Sequence, residues 1–290
     1  MKSSFFIVIL LIYNISSAQS LLPAKITVEK SLYLLGEPVN VKLIIKNTTT
    51  KLVTINTYQF VGNFIVEDEN KNKLKLLFRT SSESNWYLFP GDSIIKVFNV
   101  AAYFGRFTPG DQETHFGLPE GSYSIQFLKT QNEFNIMSNI VSISLAPPQG
   151  DENEAFESYN QAWHSNMNNK LFRASAFMDV INKYPRSVYV LASLTWIQPE
   201  DAGRIITEFP NSYQSWYIIN DELVDFKLRK EKSGAEMYLR EIIRKKPGSF
   251  AATVAFVQLD KIQSLTLEEW LKPELAIERR LSEYQLQNKQ

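Results

Sequence analysis

Few of the side chains that usually carry chemistry are present in this chain of 290 residues. There are two histidines, His115 and His164, and no cysteine. A metal site needs three or four converging ligands, and these histidines fall in halves of different periodicity with no carboxylates at ligand spacing. No metal site is therefore expected. Without cysteine there is no disulfide, no thiolate zinc site and no thiol nucleophile. Serine and threonine are plentiful, yet no Gly-x-Ser-x-Gly phrase occurs, and no Ser-x-x-Lys phrase stands in an active-site context. Gly105, Gly110 and Gly117 are too scattered to cradle a phosphate. Asp68-Glu69-Asn70-Lys71-Asn72 is the nearest calcium look-alike. It lacks the glycine and terminal glutamate of a loop site, and Lys71 and Lys73 oppose a cation, so a hairpin turn is expected there. A carboxylate pair for glycoside hydrolysis cannot be placed from spacing alone. The expectation is a protein that is not an enzyme and has no catalytic residue, cofactor or metal.

The aromatic residues offer binding instead. Trp86, Tyr87 and Phe89 precede a turn, and Tyr103, Phe104, Arg106 and Phe107 open a Gly- and Pro-containing stretch from Ala101 to Leu118. That stretch is longer than a hairpin needs, and long loops in compact domains often carry function. Ring faces beside an arginine suit sugar stacking or a protein hot spot. Trp86, Tyr87, Tyr103, Phe104, Arg106 and Phe107 are the candidate ligand-binding set. The competing reading has these rings filling one end of a core.

The chain opens with Lys2, an apolar run from Phe5 to Tyr13, and the small residues Ser16-Ser17-Ala18. This is the pattern of a secretory leader cleaved after Ala18, and the run is shorter than the roughly 20 residues that span a bilayer. The expected organisation is a signal peptide over 1–18, a β domain over 19–146, a linker over 147–151 and a helical domain over 152–290. No transmembrane segment is expected in the mature chain. The product would be exported, either periplasmic or at the surface of a bacterium, or secreted. Removing Lys2 with the leader leaves 30 basic against 31 acidic residues, a net charge near −1. With no long basic run, no nucleic-acid partner is expected.

From Lys25 to Leu145 apolar and polar residues alternate, as in Val39-Asn40-Val41-Lys42-Leu43 and Tyr123-Ser124-Ile125-Gln126-Phe127. Strands with one buried face require this period of two. Turn residues punctuate the runs at Gly36-Glu37-Pro38, Pro90-Gly91-Asp92 and Pro119-Glu120-Gly121. Leu35-Gly36-Glu37-Pro38-Val39-x-Val41-x-Leu43-x-Ile45-x-Asn47 resembles the early strands of bacterial immunoglobulin-like domains. Leu88-Phe89-Pro90-Gly91-Asp92-Ser93 and Leu118-Pro119-Glu120-Gly121-Ser122-Tyr123 resemble later turn-strand phrases of such domains. The resemblance implies an antiparallel β-sandwich over roughly 24–146. It leaves function open among spacers, adhesins, sugar binders and peptidase inhibitors.

Ala146-Pro147-Pro148-Gln149-Gly150 ends the β half, and the period changes to 3.6. A short phrase then recurs. It reads Val180-Ile181 with Tyr184-Pro185-Arg186-Ser187, Ile205-Ile206 with Phe209-Pro210-Asn211-Ser212, and Ile242-Ile243 with Lys246-Pro247-Gly248-Ser249. Proline stops one helix and opens the next, so each phrase predicts helix, Pro-x-Ser turn, helix. The segment from Ala174 to Ala192 resembles tetratricopeptide-type repeats, although the Pro-to-Pro spacings of 25 and 37 are irregular. The resemblance implies an α-hairpin array that holds partners. The functional expectation is a non-enzymatic binding or assembly protein, with the helical array contacting a protein partner. Alternatives are a carbohydrate- or other ligand-binding module using the aromatic loop, and a peptidase inhibitor.

Overall fold

The computed structural model describes residues 20–77, 85–105, 117–131, 134–164, 170–194, 197 and 203–287. The expected leader over 1–18, Arg106, Phe107, His115 and Trp196 lie outside the described residues.

The N-terminal half is β-rich. Its strands are β1 (Ser20–Val28), β2 (Leu32–Leu34), β3 (Asn40–Lys46), β4 (Val53–Asn56), β5 (Phe64–Asp68), β6 (Lys75–Leu76), β7 (Asn85–Leu88), β8 (Ser93–Asn99), β9 (Phe104–Gly105), β10 (Gly121–Thr130) and β11 (Phe134–Ala146). The main sheet runs β5-β10-β11-β1-β3-β8, with β2 also on β11; β4–β7 and β6–β9 form two small ribbons. The alternation read from the sequence is realised. Ile26, Val41, Leu43, Ile45, Ile125 and Phe127 are enclosed in one apolar cluster. Phe60, Phe64 and Phe127 interlock inside it, with ring centroids 4.9 and 5.1 Å from Phe127.

The wholly antiparallel sheet expected from the sequence is not what forms: the main sheet is mixed. Ser20–Pro23 runs parallel to Phe134–Met137 of β11, whereas Ala24–Val28 pairs antiparallel with β3. The change of partner falls at Pro23, which has no N–H to carry a ladder onward. β2 is also parallel to β11. At the calcium look-alike, Asp68 Oδ1 accepts from the amides of Asn70 and Asn72, both at 2.9 Å. The carboxylate is satisfied by its own turn, and β5 returns through a bridge to Lys73.

The C-terminal half is helical: α1 (Asp151–His164), α2 (Lys170–Lys183), α3 (Tyr189–Leu194), α4 (Arg204–Glu208), α5 (Ser215–Arg229), α6 (Lys232–Lys245), α7 (Phe250–Gln263), α8 (Leu267–Leu271) and α9 (Pro273–Gln287). The chain is thus a mixed α and β protein. α2, α4 and α6 each end one residue short of an X-Pro pair, because proline disfavours the helical region for the residue before it. Thr266 and Glu269 form a reciprocal capping box, and Pro273 opens α9. Among the described residues no helix is long and apolar enough to cross a membrane.

Candidate functional site at the sheet–helix junction

Each Pro-x-Ser turn places its serine hydroxyl at the entry to the next helix, and Ser249 is the N-cap of α7. The Ser187, Ser212 and Ser249 hydroxyls accept from the amides of Tyr189, Gln214 and Ala252 at 3.1, 3.2 and 3.1 Å. A hydroxyl at this position satisfies one of the orphan N–H groups of a helix start. Each hydroxyl also donates: Ser187 to Glu152, Ser212 to Glu29 and Ser249 to the Lys246 carbonyl.

An aromatic residue just after each of these serines reaches the β half. Tyr189 donates to the Leu35 carbonyl at 2.6 Å. Tyr213 shares a hydrogen bond of 3.0 Å with the Thr27 hydroxyl, and its amide donates to Glu29 at 2.6 Å. Phe250 and Tyr213 face each other at 4.7 Å with the Lys42 ammonium over both rings, 5.2 and 4.8 Å from their centroids. Gly36 makes the first contact possible. Its φ of +82° suits glycine, and a Cβ there would lie 2.8 Å from the Phe156 ring. Further along, Tyr217 seats on β8. On α9, Arg280 bonds Asp92 at 3.1 Å and lies 4.0 Å over the Phe89 ring. The three repeated turns are therefore docking elements within one molecule.

Where β8 meets the helices, cations gather. Lys96 pairs across the ladder with Leu43, between Ile94 and Phe98, which pair with Ile45 and Val41. Its stem therefore starts on the core-facing side of an edge strand. Its ammonium sits between two indoles, 5.1 Å from Trp86 and 5.2 Å from Trp216 of α5. Such cation–π contacts are favourable, but they supply no hydrogen-bond acceptor. Burial pushes the Lys96 ammonium below the usual lysine value, and the charge of Lys261 on α7 adds to the depression. Lys261 is lowered in the same way, first by desolvation and then by Arg280. Lys227 on α5 is lowered by desolvation and by Lys261, with Glu274 opposing. α5 and α7 are tied beside this cluster. Gln258 donates to Asn220 at 3.0 Å, and Asn220 to the Trp216 carbonyl at 2.6 Å.

The aromatic set named from the sequence is divided by the fold. Trp86 lies on β7 opposite Ile55, half-buried, 4.6 Å from Phe60 and beneath Lys96. Tyr87 is its half-buried neighbour opposite Thr54. Tyr103 is half-buried against the same apolar cluster. Phe104, only 2% exposed, pairs with Leu76 and presents no face to solvent. Lys96, Trp216 and Lys261 were missed. One signal was available for Lys96: the alternation Ile94, Lys96, Phe98 puts a charge where a core residue belongs.

No protein-family model and no curated protein matches the sequence. Among solved structures, similarity is found to a β-glucosidase of Erythrobacter marinus (14% identity, TM-score 0.26), covering 42% of this chain and 15% of that one. It is also found to the sporulation control protein Spo0M of Bacillus subtilis (11% identity, TM-score 0.26), covering 49% of this chain and 54% of that one. The chain thus spans well under two thirds of either neighbour, and likeness at this level assigns neither fold nor activity.

Proposed function

We propose that this chain is an exported, non-enzymatic binding or assembly protein, an immunoglobulin-like sandwich joined to tetratricopeptide-like hairpins as one scaffold. Strand order supports the sandwich reading. β5-β10-β11 and β1-β3-β8 match the CFG and ABE groupings of such domains, and β1 is the strand that changes partner between them. The hairpin α6–α7, with Ala235, Leu239, Ile242, Ala251, Val254 and Ala255 enclosed along its seam, supports the array reading. The leader-like start of the sequence supports export.

The observation that carries partner binding is on the helices. Val224 and Leu228 on α5, Met237 on α6, and Phe256 and Val257 on α7 are between 44 and 76% exposed. Large apolar side chains left in water on three successive helices are a feature of protein-interaction surfaces. The Pro-x-Ser ends of the array are occupied by the sheet, so a partner would meet the helix flanks instead.

The test is affinity capture from envelope and secreted fractions with three baits: the native protein, Leu228→Glu with Phe256→Glu, and Ile140→Glu on the sheet. A partner held by the native protein and by the sheet variant, but lost from the helix variant, is the expected result. Equal capture by all three, or none by any, overturns the reading.

A further inference from the structure

Ion pairs four residues apart run along the surfaces of several helices. Arg204 pairs with Glu208, Lys245 with Glu241, Lys272 with Glu268 and Arg279 with Glu283, at 2.7, 2.8, 3.4 and 3.2 Å. Such pairs stabilise an exposed helix face, and like charges at the same spacing weaken it. On α5 that spacing is filled by two carboxylates, Asp221 and Asp225, both exposed. Among the described residues neither has an ion pair. Partial burial lifts the Asp221 carboxyl above the usual aspartate value, and the charge of Asp225 adds to the rise.

Beside this acidic row runs an apolar one. Val224 and Leu228, also four residues apart, are 54 and 76% exposed. Asp221, Val224, Asp225 and Leu228 stand at i, i+3, i+4 and i+7, which is one face of an α-helix. It points away from Ile219 and Leu223, which are enclosed in the helical core. At a rise of 1.5 Å per residue it is about 10 Å long. The cations nearest in sequence are engaged elsewhere. Lys227 lies over the Trp270 ring, Arg229 pairs with Glu231 at 3.1 Å and lies over the Phe226 ring, and Lys230 stands past the helix end. α7 repeats the composition, with Phe256 and Val257 exposed beside an exposed Asp260.

We infer that this face of α5 receives a basic amphipathic helix of a protein partner, whose lysine or arginine side chains meet Asp221 and Asp225 and whose apolar side chains cover Val224 and Leu228. This occupant rests on the partner-binding reading of the exposed helix residues, and it adds the chemistry of the partner. Charge complementarity selects it. Its cations end the repulsion between the two carboxylates, and its apolar row takes Val224 and Leu228 out of water. A second copy of this chain meeting face to face sets aspartate against aspartate, and an anionic lipid surface is repelled by the same row.

The probes are two synthetic amphipathic helical peptides with leucines at the same positions, one bearing lysine and the other glutamate at its polar positions. Each is titrated into the full-length folded protein by calorimetry. The expected result is saturable binding of the lysine peptide, one per chain and weakened by added salt, with none of the glutamate peptide. Asp221→Asn with Asp225→Asn weakens the binding about tenfold. Glu69→Gln with Glu120→Gln, which removes the same charge from exposed turns of the β half, leaves it unchanged. All of these side chains are exposed, so both double variants fold. No saturable binding of the lysine peptide, equal binding of the glutamate peptide, or equal weakening by the two double variants overturns the inference. Binding to phosphatidylserine vesicles, or dimerisation in sedimentation, that is lost from Leu228→Ser also overturns it, giving the face to a lipid surface or to a second copy. A partner captured through Leu228 and Phe256 while neither peptide binds overturns the basic helix alone and leaves the partner-binding reading in place.

Discussion

The hydroxyl of Tyr217 donates to the carbonyl of Val97 at 3.0 Å and accepts from the next outward amide on the same strand, Asn99 N–H, at 3.1 Å. Among the described residues β8 pairs only with β3, so Val97 O and Asn99 N belong to a free sheet edge. One phenol thus does there what a further strand would do. Burial pushes that phenol above the ordinary tyrosine value, which keeps it protonated and able to donate. Edge strands left open are templates for pairing with other chains, and covering them with a helix is a common remedy.

Tyr217→Phe removes both bonds and leaves two backbone groups unpaired under the helix. It should lower the unfolding free energy by about 2–3 kcal/mol, read from urea denaturation. Tyr217→Ala also uncovers the edge, and light scattering should show concentration-dependent association that Tyr217→Phe lacks.

Gly36→Ala should be more disruptive than its size implies. The added methyl meets the Phe156 ring at 2.8 Å, and the φ of +82° disfavours any residue with a Cβ. A loss of about 1–3 kcal/mol is expected by thermal or urea unfolding. Gly91→Ala, with a similar φ of +83° and nothing near its Cβ, separates the backbone share from the clash.

The three serines of the repeated turns should not be equivalent. Ser249→Ala loses a cap within the helical half, worth about 1 kcal/mol. Ser212→Ala loses a turn bond from the Gln214 amide and also the hydroxyl bond to Glu29 across the junction. Urea midpoints of the two variants should therefore rank Ser212→Ala as the more damaging.

Glu29 sets a pH dependence. Burial lifts its carboxyl above the usual glutamate value, while the Tyr213 amide, the Ser212 hydroxyl and Asn40 pull the other way without cancelling it. The folded state therefore holds this proton more tightly than the unfolded chain does. Its contribution to stability falls as pH rises from the unfolded value, about 4.3, through the raised folded value. Glu29→Gln still accepts from Tyr213 but does not titrate. Its unfolding free energy, relative to the native protein, should increase between about pH 4 and about pH 7. A constant difference across that range would contradict the assignment.

Much of the local structure was legible because it depends on near neighbours in the chain. The β-branched pairs followed by X-Pro-x-Ser marked three helix ends, since proline acts on the residue beside it and serine on the amides just after it. Thr266 and Glu269 are likewise only three residues apart, so their capping box is a local feature of the chain. The turn at Asp68 was likewise within reach of its own side chain. Trp86, Tyr87, Tyr103 and Phe104 were recognisable as an aromatic group, but whether each ring faces water or core depends on strands distant in sequence. Phe104 is enclosed because β6 lies against it, and Trp86 is occupied because Lys96 and Phe60 converge on it.

By itself the sequence determined the change of period near residue 147, the positions of the caps and turns, and the lack of cysteine chemistry, all of which are local or compositional. Only the tertiary structure decided where the repeated turns dock, that the first strand joins the last in parallel, and that Lys96 meets Trp216. The pairs Tyr217–Val97 and Lys96–Trp216 are separated by more than a hundred residues. Such contacts follow from burying a sheet edge and helix ends together, a packing choice that no short stretch of sequence encodes.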